Sequence, residues 1–275
     1  MKIKFLGTAA AEGIPALYCQ CDICKDAWLN KGKNIRTRSQ ALIDDKILID
    51  FGPDTYAHVL NYEVPLDRIH HVLITHKHSD HFYPNDFLFR RPGYASKVEE
   101  EPLHVYGCQP AYEQVLKIEE RENMSAQLRA HLINPFESFE ILDYKVTPLK
   151  AQHDERAGAV LYLLEKGDKS MLYAHDTGRF FPETWEYLSK LKKPLDLLSL
   201  DCTAALRLGW DYGHLSFDCF LKIVEDLKIM NVVDEKTIIV ANHFSHNGFA
   251  NHKMMSDEAS KYNVLVSFDG MEVEF

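Results

Sequence analysis

Short apolar runs separated by polar breaks dominate the first two-thirds of the chain. Their spacing predicts strands at 3–5, 39–43, 47–50, 72–75, 103–106, 144–149, 160–165 and 171–174. The stretch Lys166-Gly-Asp-Lys169 between the last two reads as a hairpin turn. Helical spacing is expected at 56–61, 110–123, 182–191 and 217–230, the last with apolar residues recurring at three- and four-residue steps. Strands resume at 195–201, 237–241, 264–267 and 272–275. Strands inside and helices outside predict a layered α/β architecture. No repeat, low-complexity tract or Pro/Ser-rich linker interrupts the pattern, so the chain reads as one domain over 1–275 with a cysteine-rich loop at 19–24.

Composition supports a folded protein: 46% of the 275 residues are apolar and 26% charged. A formal charge of −10 argues against a large nucleic-acid footprint, which needs clustered Lys and Arg, and favours a small substrate. No apolar run approaches the roughly 18 residues needed to cross a bilayer, and the start Met1 to Thr8 lacks a signal-peptide stretch. No membrane partner and a cytoplasmic location are expected. Six cysteines in such a chain point to thiols or metal ligands rather than disulfides. Cys108, Cys202 and Cys219 are dispersed and read as buried apolar residues.

The run 72–75 leads straight into His76, His78, Asp80 and His81. Residues two apart in an extended segment point the same way, so His76 and His78 can share one ion while Asp80 and His81 serve a second. Imidazole and carboxylate ligands suit Zn²⁺, Mn²⁺ or Fe²⁺. A polar loop capping a helix would gain nothing from four such groups together.

This His-x-His-x-Asp-His string resembles the signature of the metallo-β-lactamase superfamily, as does the order Gly7-Thr8, Leu48-Ile-Asp-Phe-Gly52, signature. The resemblance implies an αββα four-layer sandwich. It implies His76, His78 and His153 on one ion, Asp80, His81 and His243 on another, Asp176 of Asp-Thr-Gly bridging both, and Asp50 orienting a ligating histidine. Each downstream residue has a plain structural alternative: a surface histidine at 153, a turn cap at Asp176, a polar strand end at His243. His175 is a rival ligand to which no role is assigned.

Cys19, Cys21 and Cys24 supply three soft ligands within six residues, with no comfortable disulfide among them. His246 is the candidate fourth ligand of a closed structural zinc site. With the signature, Leu200-Asp-Cys202 and Phe268-Asp-Gly-Met-Glu272, this resembles the PhnP-type phosphodiesterases, which cleave phosphoribosyl 1,2-cyclic phosphate.

The resemblance therefore implies two active-site divalent ions, Zn or Mn, one structural Zn, and hydrolysis of a small cyclic phosphodiester. Asp80 and Asp176 are the acidic members of the site, and His214 is the expected proton donor to the leaving alkoxide, with helix capping as its alternative role. The aromatic segment 82–94 is expected to border the pocket, with Arg90 or Arg91 as candidate phosphate clamps, and Glu99 to Glu101 to add negative charge near the entrance. Alternatives are a non-hydrolytic PqqB-like metalloprotein and an RNA-processing endonuclease of the same superfamily. The assembly is left open between a monomer and a homodimer.

Overall fold

The structure, a computed structural model, describes residues 1–275. Its strands are β1 (Lys2–Gly7), β2 (Gln40–Ile43), β3 (Ile47–Ile49), β4 (His71–Leu73), β5 (Leu103–Gly107), β6 (Leu128–Leu132), β7 (Phe139–Ile141), β8 (Tyr144–Lys150), β9 (Val160–Lys166), β10 (Lys169–Ala174), β11 (Leu197–Asp201), β12 (Ile238–Asn242), β13 (Val264–Val266) and β14 (Met271–Glu274). They form two seven-stranded sheets, ordered β14-β1-β2-β3-β4-β5-β6 and β13-β12-β11-β10-β9-β8-β7. Strands β3 to β6 run parallel, as do β10 to β13, so each sheet brings several strand C-termini to one rim.

Side-chain alternation sorts the core into layers. Ile3, Phe5, Val146, Tyr162 and Leu164 fill the space between the sheets. On the outer face of the first sheet, Leu48, Val72 and Val105 pack under Val115 and Ile118. The helices are α1 (Asp22–Asn30), α2 (Thr55–Tyr62), α3 (Gln109–Arg121), α4 (Pro182–Leu188), α5 (Phe217–Ile229) and α6 (His252–Ala259). Phe220, Ile223 and Leu227 of α5, with Met255 and Ala259 of α6, cover Leu198, Leu200 and Ile239 of the second sheet. The result is the expected αββα sandwich. No helix is long and apolar enough to cross a membrane.

Four elements escape the apolar pattern, through sparse burial or short length. Helices α1 and α6 bury only Cys24 with Ala27 and Met255 with Ala259, too few residues to make a stripe. Strand β6, at a sheet edge, buries only Leu128, and β7 is three residues long. The predicted hairpin is present, with Lys166 opposite Lys169. The C-terminal string is a brace: Asp269 accepts from the Thr8 hydroxyl at 2.6 Å and from the Thr37 amide and hydroxyl, each at 2.6 Å.

Candidate metal centre

The signature loop is held from beneath by Asp50, which follows β3 and is fully buried. Its carboxylate accepts from the Thr75 amide and hydroxyl, both at 2.8 Å, and from His81 Nδ1 at 2.7 Å. The loop folds back so tightly that a Cβ on Gly52 would stand 2.2 Å from the Asp80 carbonyl oxygen. Across the rim, a Cβ on Gly178 would meet Gln152 Oε1 at 2.3 Å, which is why glycine follows Asp176-Thr177. Asp50, Asp176 and His243 all lie just beyond strand ends at positive φ, 67°, 50° and 68°. Such backbone costs non-glycine residues of order 1 kcal/mol or more and persists only where surrounding contacts enforce it.

Seven side chains from four loops meet there. His78 Nδ1 lies 3.0 Å from His76 Nε2 and 3.2 Å from His153 Nε2. Asp176 Oδ2 lies 2.8 Å from His81 Nε2 and 3.0 Å from His243 Nε2, and Asp80 Oδ2 is 3.2 Å from His81 Nε2.

The far side of each ring fixes its tautomer. His81 Nδ1 donates to Asp50, and His153 Nδ1 donates to the Gly213 carbonyl at 3.1 Å. The hydroxyls of Thr75 and Thr203 donate to Asp50 and Asp201, so they accept from His76 Nδ1 at 3.0 Å and His243 Nδ1 at 2.8 Å. His78 turns Nε2 towards Asp154, at 3.5 Å. Every inward nitrogen is therefore a lone pair facing other lone pairs and carboxylates. Buried Asp176 Oδ2 accordingly has no hydrogen-bond partner despite its two close nitrogens. Such a set is stable only around positive charge. Burial opposes a charge on His81 while Asp176, Asp50 and Asp80 favour one, so the carboxylates around this ring call for positive charge. The His/Asp cluster fits a metal site.

Asp201, at the end of β11, had no role assigned from sequence, and it organises the other half. Its buried carboxylate accepts from the amides of Asp176 (3.0 Å), Thr203 (3.0 Å) and Leu215 (2.9 Å), and faces His214 Nδ1 at 3.1 Å. A polar residue ending an apolar strand was the available signal. Burial lowers the His214 pKa, but Asp201 and then Asp176 override it, raising it to about 9.

A cavity of about 340 Å³ opens over His78, Asp80, His153, Asp176, His214 and His243. Its remaining wall includes Glu12, Arg207, Trp210 and Asn247. Arg90 and Arg91 are not there: Arg90 donates to the carbonyls of Gln127 and Glu101, both at 3.1 Å, and Arg91 pairs with Glu122. The aromatic segment is also elsewhere, Phe87 and Phe89 lining a separate apolar groove with Tyr56 and Leu66. Glu99 to Glu101 precede β5, and the parallel β4–β5 register puts them at the sheet end opposite the centre. Nothing in the periodicity of these segments says which strand end they border. His175 is buried behind the centre against Ser199 Oγ at 2.7 Å.

Cys19, Cys21, Cys24 and His246 come together separately. His246 Nδ1 lies 3.5 Å from Cys19 Sγ and 3.4 Å from Cys21 Sγ, and all four ligand atoms fall within 4.8 Å of one another. Burial raises the Cys24 thiol to about 12. Burial also resists ionisation of Cys21, but the Cys24 amide and His246 reverse this and lower it to about 6.

Two helix-covered sheets with His and Asp donors at their common rim define the metallo-β-lactamase fold. The family model for the Beta-lactamase superfamily domain matches residues 45–239, and the chain belongs to that superfamily. Among curated proteins, it is 29% identical over 172 residues to a ribonuclease Z of Picosynechococcus sp., covering 62% of this chain and 48% of that protein. The chain thus spans about half the length of that relative. Among solved structures, Zn²⁺-bound PqqB from Methylobacterium extorquens superposes with a TM-score of 0.74 at 20% identity over 100% of both chains. A diphosphatase of the PhnP family gives 0.73 at 21% identity, over 100% of this chain and 98% of that one. These structures share the fold.

Proposed function

We propose that the protein is a binuclear metal-dependent phosphodiesterase acting on a small cyclic phosphodiester such as phosphoribosyl 1,2-cyclic phosphate. The observation that carries this reading is the convergence of five inward-facing histidine nitrogens at one rim, those of His81 and His243 against an Asp176 carboxylate whose Oδ2 has no hydrogen-bond partner. His76, His78 and His153 hold one cation, Asp80, His81 and His243 the other, and Asp176 contributes to both. When bound, two divalent ions, zinc or manganese, supply Lewis acidity for water and for the phosphoryl group. Asp50 and Asp201 fix the ring orientations of His81 and of His214 with His243. His214, open to the cavity and charged through Asp201, delivers a proton to the departing alkoxide. Cys19, Cys21, Cys24 and His246 hold a structural zinc.

A cavity of about 340 Å³ and a charge of −10 favour a small ester over RNA. The deciding experiment is hydrolysis of bis(p-nitrophenyl) phosphate with bound metal quantified. Asp80→Ala and Asp176→Ala should abolish turnover. Metal-loaded protein without turnover would instead support the non-hydrolytic, PqqB-like reading.

A further inference from the structure

One wall residue of the cavity has no part in the chemistry above. Glu12 sits in the turn after β1, just before Gly13 at φ 72°, and lines the same cavity as the metal centre's donors. All of its hydrogen-bond and ion-pair contacts fall on one oxygen. Oε1 accepts from the Ser245 hydroxyl and from Asn247 Nδ2 at 3.4 Å, and faces His246 Nε2 at 3.5 Å. Ser245 is itself fixed, its hydroxyl oxygen accepting from the Asn247 amide at 3.1 Å. His246 is anchored in turn by Cys19 and Cys21. The carboxylate is thereby held in one orientation, and Oε2 has no hydrogen-bond or ion-pair partner in the protein.

A site meant only to receive a phosphodiester gains nothing from a third acidic side chain beside Asp80 and Asp176. A carboxylate is acceptor-only, so the group opposite Oε2 must bring a hydrogen, and an anionic group there is repelled. Pre-organisation matters, because an acceptor held by Ser245 and Asn247 loses little freedom on binding.

We propose that Glu12 determines specificity by accepting a hydrogen bond from a hydroxyl of the substrate, so that the cavity selects sugar phosphodiesters over esters lacking that hydroxyl. This rests on the phosphodiesterase reading. The sugar hydroxyl replaces water at Oε2 while the phosphoryl group lies over the metal ligands. A ligand of ribose size fits a space of about 340 Å³.

The test compares ribose 1,2-cyclic phosphate with its 3-deoxy counterpart in the metal-loaded enzyme, with bis(p-nitrophenyl) phosphate as a probe lacking sugar. A hydrogen bond to a charged group corresponds to roughly 10- to 100-fold in kcat/KM, so the wild type should prefer the hydroxylated ester by that factor, mainly through KM. Glu12→Ala should collapse the ratio to near one, and Glu12→Gln should leave an intermediate ratio, since an amide oxygen accepts more weakly. Turnover of bis(p-nitrophenyl) phosphate with equal wild-type rates on the two sugar esters would overturn this inference and leave the phosphodiesterase reading intact. No turnover of any diester would overturn that reading first. A ratio kept in Glu12→Ala, with zinc content unchanged, would place the hydroxyl elsewhere and overturn the assignment to Glu12.

Discussion

Asp201 Oδ2 lies 3.1 Å from His214 Nδ1, the carboxylate wholly buried and the imidazole open to the cavity. The pair orients the ring and keeps it charged, the state a proton donor needs. His214→Ala should therefore retain its metals and lose roughly 10²- to 10⁴-fold in turnover of ribose cyclic phosphate. p-Nitrophenolate leaves without a proton, so bis(p-nitrophenyl) phosphate should suffer far less. Equal loss on both esters would recast His214 as a phosphate-positioning group. No loss on either would return it to capping α5.

Asp201→Asn tests the electrostatic half of that relationship. Burial pushes the His214 pKa down and the Asp201 charge pushes it up to about 9, so removing the charge lowers it. The protonated donor is lost as pH rises through that pKa. The alkaline limb of kcat on the sugar ester should consequently move to lower pH in the variant. A limb that stays in place would show that another group sets it.

The layered fold and the signature ligands were legible because strand burial and the His76 to His81 run are both local patterns. Asp50, Asp176 and His243 are placed by resemblance to the superfamily's pattern, and each lies just beyond a strand end. What the chain does not advertise is which distant loops share a rim. Asp201 ends a strand in the same way, yet its role depends on Thr203, Leu215 and His214 folding around it. Arg90 and Arg91 follow the signature closely in sequence, but the chain crosses to the other end of β5, leaving Arg207 as the cavity's arginine. Helix α1 was hidden because the cysteine loop, not an apolar stripe, fixes it.

Cys21→Ser should release about one equivalent of zinc and lower the melting temperature, since a closed metal site contributes folding free energy directly. A loss of about 2 kcal/mol corresponds to roughly 5 °C for a chain near this size. Because Glu12 faces His246, KM on the sugar ester should rise as well. Calorimetry and metal analysis decide the point: full zinc retention with an unchanged melting temperature would contradict a Cys19, Cys21, Cys24, His246 site.

Arg207 is exposed at the cavity wall, its guanidinium 4.7 Å from the Trp210 ring centroid and without an ion-pair or hydrogen-bond partner. Stacking on an indole holds the planar fork in place and leaves its N–H donors free, the arrangement that takes a phosphate oxygen in two hydrogen bonds. Arg207→Ala should raise KM for an ester carrying a second phosphate, such as phosphoribosyl 1,2-cyclic phosphate, by roughly tenfold or more, with a smaller effect on ribose 1,2-cyclic phosphate. Arg207→Lys keeps the charge but loses the fork and should recover only part of that affinity. Arg90→Ala is the control, because Arg90 spends its donors on the carbonyls of Gln127 and Glu101 at the far end of the sheet. If Arg207→Ala raised KM equally for both esters, the guanidinium would be contacting the phosphodiester itself rather than a remote phosphate. If KM moved for neither, Arg207 would be a surface residue packed on Trp210.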